Sequence, residues 1–277
     1  MSALTGLVRH DGRAGIRNHV LVLPSVVCST HAASEIASAA GAVAITHQHG
    51  CLHVGDDLRH TEQAFLGTAT NPNVGAVVVV SLGCETLNGK LLADRIAQTG
   101  QTIELIGVQH SGGTARAIQD GLAACARLSA ALDALTPEPI DPSAVTVGID
   151  DASDALAGPL REALEARGLR VALADDVTGP EAHVELACQG SQLIVSLPGE
   201  FEGPTGFPVC PVVAVGRDVD LHRALADDFD VHEEAASHGE LAQRVADRVL
   251  TAAAGEPTAS ERRGARDFVL RRLAVTM

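Results

Sequence analysis

The stretch Ala76-Val77-Val78-Val79-Val80-Ser81-Leu82-Gly83-Cys84-Glu85 is an apolar, largely β-branched run that stops at a glycine and passes into a thiol and a carboxylate. β-Branched side chains suit an extended backbone. A run that is apolar throughout, rather than at alternate positions, reads as a strand buried on both faces, as in a parallel sheet. A helical pattern follows over 89–99. Working outward, the same construction occurs three more times in the first half of the chain. Residues 20–23 lead to Ser25-Val26-Val27-Cys28 and a helix over 29–40. Residues 42–45 lead to Thr46-His47-Gln48-His49-Gly50-Cys51 and a helix over 57–70. Residues 103–108 lead to Gln109-His110-Ser111-Gly112-Gly113-Thr114 and a helix over 114–135. Strand–helix alternation implies parallel strands, so all four polar clusters are expected at one sheet edge, where open α/β folds bind ligands.

Beyond residue 135 the segment Thr136-Pro137-Glu138-Pro139-Ile140-Asp141-Pro142 carries too many prolines to continue a helix and reads as a linker over 136–142. Strand patterns then recur over 144–149, 170–173, 193–197 and 212–215, with helices over 154–167, 180–188 and 239–254. A loop rich in Gly and Pro fills 199–211, and a polar tail closes the chain. The expected fold class is α/β: two lobes, 1–135 and 143–277, with mainly parallel, Rossmann-like sheets flanked by helices. The sequence carries no convincing internal repeat.

Composition narrows the functions. Of 277 residues 46% are hydrophobic, enough for a substantial core, but only 2% are aromatic, so Ala, Val, Leu and Ile must build it. The net charge of −15, with Lys90 the only lysine, argues against nucleic acid as a partner, because phosphate binding needs a positive field. No apolar stretch reaches membrane-spanning length, and the first residues lack a signal pattern; a cytoplasmic protein is expected. Six scattered cysteines without a CxxC pair suggest thiols rather than disulfides.

The clusters suggest chemistry. His47, His49 and Cys51 stand at i, i+2 and i+4, on one face of an extended segment; imidazole with thiolate suits iron, zinc or cobalt better than magnesium. Gly83-Cys84-Glu85 adds a second thiol and a carboxylate, although a packed cysteine and a solvated glutamate would look the same. Gly112-Gly113-Thr114 before a helix fits an anion cradle, or simply a tight turn. Arg9, Asp11, Arg13, Arg17 and Asn18 form a polar run before the first strand, read either as a carboxylate clamp or as a solvated face.

The segment Gly6-Leu7-Val8-Arg9-His10-Asp11-Gly12-Arg13-Ala14-Gly15-Ile16-Arg17-Asn18 strongly resembles the opening signature of the altronate/galactarate dehydratase family, which includes the large subunit of sulfolactate sulfo-lyase. Further matches follow in the family's order at Pro24–Ser29, Thr46–Cys51, Asn71-Pro72-Asn73, Gly83-Cys84-Glu85 and Gln109–Thr114, and later at Gly203-Pro204-Thr205-Gly206-Phe207-Pro208. The family's mid-chain Glu-Cys-Gly-Gly-Ser-Asp motif is replaced here by Gly148-Ile149-Asp150-Asp151-Ala152-Ser153-Asp154. The resemblance implies a hydro-lyase converting a sugar acid to a 2-keto-3-deoxy acid with iron(II) or manganese(II). It assigns Cys28, Cys51, Cys84 and Glu85 to the metal, and His47 and His49 to acid–base work. Arg13, Arg17, Asn18, Ser25, Gln109, Gly112, Gly113 and Thr114 fall to substrate. It also implies an anionic small-molecule substrate, a homo-oligomer, and a small partner subunit supplying the domain that single-chain members carry at their N-terminus. Carbon–sulfur cleavage of sulfolactate and a binding-only paralogue are the alternatives.

Overall fold

The computed structural model describes residues 4–49, 54–174, 177–199, 202–217, 219–232 and 237–273. Its elements, in chain order, begin with β1 (Thr5–Val8), β2 (Ala14–Gly15), β3 (His19–Pro24), α1 (Thr30–Ala40), β4 (Val43–Ala44), α2 (Gly55–Ala69), β5 (Val74–Ser81), α3 (Gly89–Gln98), β6 (Thr102–Gly107) and α4 (Thr114–Asp133). The remainder comprises β7 (Glu138–Pro139), β8 (Thr146–Ile149), α5 (Ala157–Glu165), β9 (Arg170–Leu173), α6 (Gly179–Cys188), β10 (Leu193–Ser196), β11 (Val212–Gly216), α7 (Val219–Ala224), β12 (Val231–His232), α8 (His238–Ala253) and α9 (Ala259–Arg263).

Two parallel sheets organise these elements, as the α/β expectation requires. The first runs β4-β3-β5-β6 and the second β12-β11-β10-β8-β9. In each, the second strand in sequence lies on one side of the first strand and the third on the other. The chain thus reverses its winding direction between β3 and β5, and again between β8 and β10. The predicted linker is not a bare tether: Glu138 and Pro139 pair antiparallel with β1, which also pairs with β2.

Period-two alternation assigns each strand residue to a layer. Val20, Val22, Ala76, Val78 and Val80 face α1 and α4. Leu21, Leu23, Val77 and Val79 face a core shared with α2, α3, α6 and Ile194 and Val212 of the second sheet. Val147, Ile149, Val195, Val213 and Val215 face α5 and α8. The shared core uses three of the five phenylalanines, and they form a row ending on two histidines. His47 and Phe65 are 4.9 Å apart, Phe65 and Phe268 6.2 Å, Phe268 and Phe207 5.9 Å, and Phe207 and His183 6.4 Å, between ring centres. Phe268 and Leu270, in the predicted polar tail, are therefore core residues.

Polar side chains tie the sheets together at their N-terminal edges. Asn71 donates to the Ala187 and Ser191 carbonyls (3.0 and 2.9 Å), and Asn73 to those of Gln192 and Val209 (2.7 and 2.9 Å). The Asn73 Oδ1 accepts from the Ile16 and Arg17 amides. Arg9 donates to the Pro72 carbonyl (2.7 Å), to Asn18 Oδ1 (2.9 Å) and to the Arg17 carbonyl (3.0 Å). A Cβ on Gly15 would collide with the Pro72 carbonyl, so only glycine permits this close approach. Among the described residues, no helix is long and apolar enough to cross a membrane.

Candidate active site at the first sheet edge

Parallel pairing brings the described parts of all four polar clusters to the C-terminal edge of the first sheet. Along that edge the order is His47 and His49 after β4, Ser25 and Cys28 after β3, Gly83 to Glu85 after β5, and Gln109 to Gly113 after β6. The reversal between β3 and β5 opens the crevice where doubly wound sheets take ligands. Across it, the buried Ser25 hydroxyl donates to Glu85 Oε1 at 2.9 Å, and the Gly83 amide donates to Oε2 at 2.6 Å. Gly89 opens α3 directly against this pair. A Cβ there would collide with Ser81 and stand 3.1 Å from Glu85 Oε1, so any larger residue would push the helix off the carboxylate. Asn88 fixes the same helix start by accepting from the Leu91 amide at 3.0 Å.

Burial alone would raise the pKa of Glu85. The opposing donors win: the amides of Gly83, Glu85 and Cys84 and the Ser25 hydroxyl together hold the carboxyl below its ordinary value. Hydrogen bonds to a charged acceptor contribute about 1.5–3 kcal/mol each, which explains the sign. Glu85 is thus a fixed anion that orients Ser25, and a poor proton acceptor.

The β6 side supplies complementary groups. Gln109 packs over Gly83, and a Cβ on Gly107 would lie 3.1 Å from the His110 Cβ and 3.5 Å from the Ser81 hydroxyl, placing exposed His110 on the Ser81 side of the crevice. Gly112 and Gly113 adopt φ of 82° and 122° and turn the chain into α4, whose N-cap, Gly113, offers no side-chain bond. The first-turn amides of Thr114, Ala115 and Arg116 have no acceptor within the helix and point out of its positive end. The Arg116 guanidinium lies 3.4 Å from where a Gly112 Cβ would be. His110 and Arg116 were not singled out from sequence; a His two residues past the end of the 103–108 strand run and an Arg two residues into a glycine-started helix were the available signals.

Several sequence-based assignments need correction. His47 is buried with both ring nitrogens engaged: Nε2 donates to the Pro24 carbonyl at 2.9 Å, and Nδ1 accepts from the His49 amide at 3.2 Å. Both contacts are to backbone groups, so this ring braces the junction between the ends of β3 and β4. His49 stacks on it, with ring centres 6.1 Å apart, and its carbonyl accepts from Val27. Arg13, Arg17 and Asn18 lie at the other end of β3. Seven residues of extended chain separate Asn18 from Ser25, on the order of 20 Å. Arg13 pairs with Asp11 and donates to the Thr70 carbonyl, and Arg17 grips Glu261 with two bonds of 2.8 and 2.9 Å. Asn18 accepts from Arg9 and donates to Leu132. They brace the fold and do not share a ligand with Gly112–Thr114.

Cys28 and Cys84 are exposed at the edge, and Cys51 lies outside the described residues. Among the described residues, no three His, Cys, Asp or Glu side chains come together as a metal centre. With Glu85 committed to Ser25 and Gly83, and His47 to backbone groups, the described donors do not make up the coordination set expected for iron(II) or manganese(II). Cys125 and Cys210 are buried, and burial pushes the Cys125 thiol up to about 11, which suits packing rather than reactivity. Cys188, which ends α6, has an exposed surface.

The segment that builds this edge has known relatives. Residues 6–133 match the family described as D-galactarate dehydratase/Altronate hydrolase, second domain. Over these residues the first lobe is similar to the altronate/galactarate dehydratases. The (2R)-sulfolactate sulfo-lyase subunit beta of Chromohalobacter salexigens is 39% identical over 108 residues, covering 39% of this chain and 27% of that protein. Altronate dehydratase of Bacillus subtilis is 35% identical over 91 residues (29% of this chain, 18% of the relative). That of Escherichia coli is 33% identical over 88 residues (28% and 18%). The matched region therefore spans about a quarter or less of the length of these relatives. All three are named as lyases or dehydratases, and one is named as a subunit.

Proposed function

We propose that this chain forms part of a lyase that removes a proton beside a carboxylate and expels the neighbouring 3-hydroxyl of a sugar acid, giving a 2-keto-3-deoxy acid. The Ser25–Glu85 pair, held across the sheet's crevice inside the segment related to the dehydratases, is the observation that carries this reading. The first turn of α4 and Arg116 receive the substrate carboxylate, because Glu85 repels it from the centre of the edge. His110, on the β6 side, accepts the C2 proton, since its exposed imidazole has a ring nitrogen lone pair to take it. His49, on the β4 side, delivers a proton to the departing 3-hydroxyl, which leaves as water. The resulting C2–C3 enol tautomerises to the ketone. Ser25, its proton held by Glu85, accepts a hydrogen bond from a substrate hydroxyl.

A second reading keeps the same proton abstraction but expels sulfite from (2R)-sulfolactate; the 39% identity to a sulfo-lyase subunit favours it. That relative's name also supports a partner subunit completing the enzyme. The test is an anaerobic screen of aldonic and aldaric acids and (2R)-sulfolactate, with iron(II) or manganese(II) supplied, alone and with a candidate partner subunit. Appearance of a 2-keto acid from a sugar acid supports the dehydratase. Release of sulfite selects the second reading. Full turnover in both His110→Gln and His49→Gln overturns the assigned roles.

A further inference from the structure

The second sheet reverses between β8 and β10, and a cavity of about 490 Å3 opens over that point. This volume falls in the range of small-molecule sites, and the position is the one where doubly wound sheets bind ligands. The site is built on a buried network. Ser196 donates to Asp150 Oδ2 at 2.7 Å, His183 Nε2 meets the same oxygen at 3.1 Å, and the Leu197 amide donates to Oδ1 at 2.8 Å. Asp150, His183 and Ser196 are 1%, 0% and 2% exposed, so these bonds lie shielded from water beneath Ser196 and Leu197, which line the cavity. Above it stand Asp151, Glu202, Thr178 and Thr205. Asp154 also lines the cavity but is neutralised by an ion pair with Arg217.

The lining mixes acceptors with donors. Asp151 uses Oδ1 for both of its bonds to Ser153, and Glu202 uses Oε2 for the Gly199 amide, so each presents its second oxygen as an acceptor. Thr178 and Thr205 supply hydroxyls. Groups that donate and accept at once match such a lining best, and those are hydroxyls. An added carboxylate would face the partly buried Asp151 and the exposed Glu202 and be repelled by both. We infer that this crevice is a second ligand site, separate from the Ser25–Glu85 edge, that takes an uncharged polyhydroxylated small molecule.

The test is titration of the full chain with three six-carbon probes alike except in charge: D-glucitol, D-glucosamine and D-gluconate. Binding is followed by amide chemical shifts. D-Glucitol is expected to bind, with shifts confined to residues around 150–154, 178–181 and 196–205. The double variant Asp151→Asn with Glu202→Gln should weaken it at least about tenfold while its spectrum stays folded. Glu85→Gln, which disables the first edge, should leave this binding unchanged, so failure here and failure of the lyase reading are separable. Tighter binding of gluconate or glucosamine, undiminished binding in the double variant, or no binding of glucitol would each overturn the inference.

Discussion

The two sheets wind in the same order, and each carries a serine hydroxyl bonded to a carboxylate across its reversal point, yet the two pairs do opposite jobs. In the first sheet the serine follows the opening strand and Glu85 follows the third. In the second, Asp150 follows the opening strand and Ser196 ends the third. Glu85 is half-exposed and stabilised by backbone amides, leaving its charge at the surface of a crevice. Asp150 is sealed and hydrogen-bonded to His183. Exposure decides the role: a buried carboxylate must be fully partnered to be tolerated, and a fully partnered one is architecture.

The sharpest way to break this contrast is to remove each carboxylate in turn. Asp150→Ala strands His183, the Ser196 hydroxyl and the Leu197 amide in the interior, and should cost about 4 kcal/mol in urea unfolding, because removing one partner of a buried pair exposes the other's desolvation. Glu85→Gln should leave the unfolding midpoint within about 1 kcal/mol of the parent. Equal losses in the two variants would erase the distinction.

A second prediction concerns what holds the two sheets in one body. Asn73 bridges the Ile16 and Arg17 amides to the Gln192 and Val209 carbonyls, all in the interior between the lobes. Asn73→Ala should destabilise the chain by about 3 kcal/mol and, unlike a surface change, should unfold both lobes together by differential scanning calorimetry. Two separated transitions in the parent would mean that the lobes are independent.

The sequence made the strand runs and the shared edge legible, because a β-branched run followed by a glycine-rich cluster has few alternatives in a doubly wound sheet. It hid the parallel between the lobes: winding order is set by connections and buried faces, which different residues satisfy equally well, so no repeat is visible. It also misdirected the polar run from Arg9 to Asn18. Arginines that could grip a substrate instead grip Pro72, Thr70 and Glu261, and their partners lie 57 to 244 positions away. Nothing local distinguishes the two cases. His47 shows the same limit, since its acceptor is a carbonyl on the neighbouring strand's end.

If Glu85 works by orienting Ser25, Glu85→Gln should lower kcat on whichever acid is turned over by about 100-fold, within the span of positioned acid–base effects, while KM moves little. Ser25→Ala should lose a similar amount, and the double variant little more, because the two act as one unit. Additive losses would assign them separate tasks. The same measurement on Asp151→Asn, in the second crevice, should show no change in kcat.

The smallest effect tests the far end of β3, where the structure places bracing rather than chemistry. His19 is packed there beside Arg17, and burial first, then the Arg17 charge, lowers its pKa to about 4. In the unfolded chain a histidine titrates near 6.5. Between these values the unfolded state binds a proton that the folded state refuses, so stability is complete above about pH 6.5 and declines as pH falls toward 4. Urea midpoints taken at intervals through this window should therefore drop for the parent and flatten in His19→Gln. Above about pH 5.5, where a glutamate is ionised in the folded and unfolded chain alike, Glu85→Gln should retain the parent's slope, because its lowered carboxyl pKa adds no difference in bound protons there. A slope that vanished in Glu85→Gln instead would move the acid-sensitive group from the brace to the crevice, and the division of labour between the two ends of this sheet would fail.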